Sequence, residues 1–309
     1  MRMRSETRDA LVALELRLKA ILPEIYQDAY EYVQPVSMGS AGLKYGTDGQ
    51  VAWDDMWETF CDLAMAGGPP HKGALLERGL PADIDAQPDR YRQVTDEIGR
   101  GITAVTGLVA ERSPDPGWMR VVCPNEGVAA WLLRAIVMEN VSARQQGVAL
   151  NLPAAPGFRL EKEIKNVITV MAKTCHYWID HIPRRQQRSI AALFAKMAQE
   201  SPLVEPAFST DGVRSDSQQM IFDHMADRIH HDTGLCASQH RYVGWLGVEC
   251  PNVRAAIWMM RALVVSNVLS RREETVLFVP VNPVNDHNAD RVVTSLAQIH
   301  RLACARGVL

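Results

Sequence analysis

Residues 118–144 read WMRVVCPNEGVAAWLLRAIVMENVSAR, and residues 245–271 read WLGVECPNVRAAIWMMRALVVSNVLSR. Laid over each other without a gap, at an offset of 127, the two stretches are identical at 13 of 27 positions. Chance would give only about one or two matches over that length. The shared residues include Trp118/Trp245, Cys123/Cys250, Pro124/Pro251, Asn125/Asn252, Trp131/Trp258, Arg134/Arg261, Asn140/Asn267 and Arg144/Arg271. At the same offset Thr106-Gly107-Leu108 falls on Thr233-Gly234-Leu235, and Pro153 on Pro280. The chain therefore reads as carrying one unit twice.

Working outward, WMRVVCP is a strand closed by Pro124, and residues 125–144 are a helix with Asn125 at the N-cap. GVALNLP is a second strand and residues 161–181 a second helix. The later copy repeats the order with WLGVECP, a helix capped by Asn252, TVLFVPV and a final helix. Helices over 91–106 and 218–231 run into the two Thr-Gly-Leu triplets, with glycine where a helix C-terminus wants it. Crossovers of this length predict parallel pairing of the strands.

The expected class is α/β, with a helix-rich α+β arrangement as the alternative. An α-α-β-α-β-α unit recurs at 52–178 and 179–309, forming a pseudo-two-fold pair. A helix and Gly-rich loop at 1–51 precede it. Two strands make a weak sheet alone. Either the halves join their strands into one four-stranded sheet, or each keeps a small sheet and they pair through helices.

The N-terminal segment places Leu11, Leu14, Leu18, Ile21 and Leu22 at helical spacing, interrupted by Glu6, Asp9, Glu15, Arg17 and Lys19. That pattern predicts an amphipathic helix over 5–33, with Ser5 as N-cap and Pro23 as a break, rather than a signal peptide. Gly39, Gly42, Gly46 and Gly49 surround Lys44 in a loop that serves as connector or binding loop. Residues 53–66 read as a helix stopped by Gly67-Gly68-Pro69-Pro70.

Composition narrows the partners. The 309 residues are 47% hydrophobic and 22% charged, and 33 Lys and Arg against 36 Asp and Glu give a net charge of −3. A balanced charge argues against nucleic acid as a partner. No run approaches a membrane span. Six cysteines, at 61, 123, 175, 236, 250 and 304, lack CxxC spacing and predict a reduced, cytoplasmic protein. A homo-oligomer is compatible with the sequence, but no heptad run specifies one.

The chemistry centres on Cys-Pro-Asn, present twice at a strand end and helix start. Free N–H groups and the positive end of the helix dipole can hold a thiolate or an anion there. The same residues serve equally as a small buried cysteine, a strand-ending proline and an ordinary N-cap. Arg134 and Arg261 lie in apolar helices and demand a carboxylate, a carbonyl or an anionic ligand. Residues 67–73, GGPPHKG, present His71 and Lys72 on a rigid turn that could hold an anion or supply a base. His230-His231-Asp232 is a weak metal cluster. No HExxH, GxSxG, GxGxxG or Walker loop occurs, no metal motif is found, and no cofactor is named by the sequence.

The leading expectation is an enzyme acting on a small anionic metabolite at the interface of the halves, by thiol-based isomerase or covalent-nucleophile chemistry. Cys123 or Cys250 would be the reactive thiol, Arg134 or Arg261 the anion clamp, Asn125 or Asn252 an amide contact, and His71 or Lys72 auxiliary groups. The alternative is a non-catalytic ligand-binding or assembly protein on a duplicated scaffold.

Overall fold

A computed structural model describes residues 2–28, 30, 43–56, 73–209, 212 and 216–309. It mixes helix with two four-stranded antiparallel sheets. The chain divides into two compact units, Val33–Pro183 and Met1–Tyr32 with Arg184–Leu309.

In Val33–Pro183, the helices α2 (Pro81–Ala86) and α3 (Pro88–Thr106) precede strands β1 (Ala110–Arg112) and β2 (Trp118–Val122). Helix α4 (Glu126–Met138), strands β3 (Arg144–Gln146) and β4 (Ala149–Pro153), and helix α5 (Lys165–His176) follow. Proline opens α2 and α3 at positions whose N–H has no helical partner anyway. Helix α3 ends at Gly107, whose φ of 69° is the left-handed conformation glycine adopts without a side-chain clash. Thr106 seals that end: its hydroxyl donates to the Ile102 carbonyl at 2.6 Å and accepts from the Leu108 N–H at 3.1 Å.

The sheet order is β1-β2-β4-β3, every pair antiparallel. Trp118 pairs with Pro153 and Val122 with Ala149 across the centre. The parallel pairing expected from the crossover lengths is therefore corrected. The strand that follows α4 is the three-residue β3, which turns back through Gly147 and Val148 into β4. That hairpin reverses the chain, and β4 lies between β2 and β3. Val94, Ile98, Ile102, Leu132, Leu133, Ile136, Leu150 and Met171 are sealed from solvent in the core. Each contributes about 1.5–3 kcal/mol of hydrophobic stabilisation.

In the other unit, α1 (Arg2–Ile21) buries Leu14, Leu18 and Ile21. It begins ahead of Ser5 and stops before Pro23. It packs on α6 (Arg184–Glu200), and on two helices that follow α7 (Asp216–Thr233): α8 (Val253–Val264) and α9 (Asp290–Arg306). Strands β5 (Ala237–Tyr242), β6 (Trp245–Glu249), β7 (Arg271–Glu273) and β8 (Val276–Pro280) pair in the order β5-β6-β8-β7. Each unit thus keeps its own four-stranded sheet, and the strands of the two units do not join into one.

Local details coincide at the 127-residue offset. Thr233 repeats the seal of Thr106, bonding the Ile229 carbonyl at 2.6 Å and the Leu235 N–H at 3.1 Å. After α4 and α8, Asn140 and Asn267 take positive φ values of 61° and 62°, a conformation asparagine tolerates better than most residues. The Asn140 amide donates to the Gly73 carbonyl at 3.3 Å. That of Asn267 donates to Ser201 at 2.6 Å, satisfying a carbonyl beyond the end of α6.

Candidate functional site

The Cys-Pro-Asn corners are built alike. Asn125 and Asn252 have extended backbones (φ −162° and −160°) and cap α4 and α8. Their side-chain oxygens accept from the Val128 N–H at 3.0 Å and the Ala255 N–H at 2.8 Å. The amide oxygen that could have met a ligand is used within the helix end.

The thiols are buried. Cys123 is 3% exposed and Cys250 6%. Their backbone N–H groups continue the sheet, donating to the carbonyls of Val148 and Thr275, each at 3.0 Å. Burial pushes the Cys123 thiol up to about 11. Burial, reinforced by the Glu249 charge, pushes Cys250 up to about 12. Burial is the first cause at both thiols, and it favours their protonated form at neutral pH. Cys175 on α5 is raised to about 12 by burial, with Cys123 adding a repulsive contribution.

Arg134 and Arg261 find carbonyls. Arg134 is buried and donates to the Ala130 carbonyl of its own helix at 2.9 Å. Arg261 donates to the Tyr30 carbonyl. His71 and Lys72 lie outside the described residues, as does most of the helix expected over 53–66, of which residues 53–56 are helical. The exposed His231 Nδ1 lies 2.8 Å from the neighbouring Asp232 carboxylate, while His230 Nδ1 lies 3.3 Å from the Leu235 carbonyl. The two rings engage different neighbours, as consecutive helical positions require.

Two features escaped sequence reasoning. A groove of about 330 Å³ lies among α1, α6, α9 and the turn after α8. Arg17, Ser201, Ser266, Asn267, Ser295 and Gln298 supply its polar lining, with Leu14 and Ile299 among the apolar residues. Glu200 also reaches it, but this carboxylate is 64% exposed and 3.8 Å from Lys196. No motif announces such a groove, because its residues come from four separate stretches.

The other feature is a histidine pair at the end of α5. A π-helical turn, Tyr177–His181, continues that helix. His176 Nδ1 lies 2.7 Å from Asp180 Oδ2, and His176 Nε2 lies 3.2 Å from His181 Nε2. Tyr177 stacks obliquely on His181, with centroids 5.6 Å apart. Among the described residues, no group of three or more His, Cys, Asp or Glu side chains is arranged to hold a metal. No described helix is long and apolar enough to cross a membrane.

Comparison with protein-family models, with curated proteins and with solved structures finds no match to this chain.

Proposed function

We propose that this chain is a non-catalytic ligand-binding protein on a duplicated scaffold, and that the groove beside α1 takes a small anionic metabolite. One observation carries the reading: residues shared at the 127-residue offset are engaged in building the fold. Asn125 and Asn252 cap helices, Cys123 and Cys250 are buried with their thiol pKa raised, and Arg134 and Arg261 each donate to a carbonyl. What the halves have in common is then architecture. The binding chemistry falls to the groove, whose polar lining apart from Asn267 is not shared between the halves.

The groove has the size and mixed lining of a small-molecule site. Arg17 offers a fork for carboxylate or phosphate, and three serine hydroxyls and the Gln298 amide supply further donors. Calorimetric titration with small dicarboxylates and phosphate monoesters tests the reading. Binding to the wild type that weakens at least about tenfold in Arg17→Ala supports it. Absence of binding across the panel, or equal binding by the variant, overturns it.

The rival is thiol-based catalysis on the same class of metabolite. Alkylation at pH 7, followed by peptide mass spectrometry, separates the two. Exposed Cys236 and Cys304 should label first, with Cys123 and Cys250 inert until unfolding. Rapid labelling of either buried thiol in the folded chain would favour the enzyme.

A further inference from the structure

We propose that His176 and His181 form a binding site for a divalent transition-metal ion of the zinc and copper class, with Asp180 as the outer carboxylate that orients it. The site lies within Val33–Pro183 and does not depend on the groove described above.

The backbone makes the pair. In a regular α-helix, residues five apart point about 140° away from each other, so a His-x4-His spacing shares no face. In the π-helical turn the hydrogen bond runs from i to i+5, which stacks the fifth residue over the first. Tyr177–His181 is such a turn. It brings the two imidazoles to a centroid distance of 4.9 Å, edge to face. Turns of this kind occur disproportionately at functional sites.

The distance fits the ion. Zinc–nitrogen bonds of about 2.0–2.1 Å at a tetrahedral angle separate two ligand nitrogens by about 3.3–3.4 Å. The two Nε2 atoms are 3.2 Å apart, so a shift of a few tenths of an ångström admits the metal. The tautomer is already selected at one ring. Asp180 accepts from His176 Nδ1 at 2.7 Å, which leaves the Nε2 lone pair facing His181. A carboxylate behind a ligating histidine is the usual outer partner of zinc-bound imidazole.

No covalent step is involved. The proton on His181 Nε2 is exchanged for one on His181 Nδ1, keeping that ring a neutral imidazole, and the metal takes both Nε2 lone pairs. Among the described residues the pair supplies two protein ligands, and further coordination positions take water or an incoming donor. His176 is partly exposed and Asp180 more than half exposed, so solvent and ion reach the pair. Imidazole suits zinc, nickel and copper, with copper(II) the tightest of the series.

Calorimetry with zinc chloride and electron paramagnetic resonance with copper(II) test the site in the full chain. The wild type should bind one equivalent more than His181→Ala. Its copper spectrum should carry hyperfine coupling from two nitrogens. Asp180→Asn, which keeps both imidazoles, should weaken binding by about 10- to 100-fold. If His181→Ala fails to fold, Asp180→Asn and the wild-type spectrum decide the matter. No zinc binding by the wild type, or equal stoichiometry and affinity in the variants, overturns the site and leaves the pair an ordinary hydrogen bond.

Discussion

The guanidinium of Arg261, in the last turn of α8, donates to the backbone carbonyl of Tyr30, 231 residues earlier in the chain. The Tyr30 hydroxyl donates to Glu15 at 2.9 Å, and Glu15 accepts from Arg306 at 2.6 Å. Burial, followed by this contact with Glu15, raises the Tyr30 pKa, so the phenol remains a donor at neutral pH. Residues of α1, the segment after it, α8 and α9 are thus joined by one polar chain. Arg134, at the matching position, donates to the Ala130 carbonyl of its own helix.

Arg261→Ala should therefore cost more than loss of a solvent-exposed arginine. It leaves the Tyr30 carbonyl without this donor, a loss of about 1–3 kcal/mol, whereas Tyr30→Phe removes one hydrogen bond and should cost about 1 kcal/mol. Urea unfolding checks the order. The two residues belong to one network, so the double variant should lose less than the sum of the single losses. Additive losses would mean that the contacts are energetically independent.

The buried thiols make stability depend on alkaline pH, with a sign fixed by the direction of their shifts. A native pKa raised above the unfolded value favours the protonated thiol in the fold. That contribution is complete below the ordinary thiol value and is lost as pH rises through the native one. Cys123 is raised to about 11, and Cys175 and Cys250 to about 12. Stability should fall from about pH 9 upward, by as much as about 1.4 kcal/mol per pH unit for each thiol. Unfolding at pH 8 and pH 10 should show a shallower loss in Cys250→Ala than in the wild type. The same slope in both would mean that Cys250 ionises freely in the native state.

What the sequence disclosed follows physical lines. The helices and the central strands β2, β4, β6 and β8 are apolar and periodic, and the caps Asn125 and Asn252 stand where helix-start chemistry requires them. The outer strands left no such trace. Ala110–Arg112 and Arg144–Gln146 are three residues each, polar and largely exposed, held by pairing with a neighbour rather than by an apolar face. Missing β3 hid the hairpin that reverses β4, and that one omission turned an antiparallel sheet into an expected parallel one. The histidine pair was illegible for a related reason. The spacing of His176 and His181 is meaningless in an α-helix and acquires a shared face only in a π turn, which no residue of YWIDH signals. The thiols failed in the opposite direction: their place at a helix start was legible, but the desolvation that governs them depends on what covers the corner.

Two glycines in left-handed conformations should respond very differently to an added methyl group. At Gly107, φ 69°, a Cβ would meet nothing within 4 Å, so Gly107→Ala carries only the conformational cost, about 1–2 kcal/mol. At Gly117, φ 86°, a Cβ would lie 2.4 Å from the backbone carbonyl of Gly79, which cannot rotate aside as a side chain would. The Gly117 N–H also accepts its place in the turn by donating to the Tyr91 hydroxyl at 3.0 Å, and its carbonyl receives the Ala154 N–H at 2.8 Å. Moving the backbone to relieve the clash would break both bonds, adding about 1 kcal/mol each to the strain. Gly117→Ala should thus destabilise by several kcal/mol and reduce the yield of folded protein, while Gly107→Ala folds with a modestly lower melting temperature. Circular dichroism melting of the two variants checks the ranking. Equal shifts would mean that the Gly79 segment yields easily and that the close approach at Gly117 contributes little to holding β2 in place.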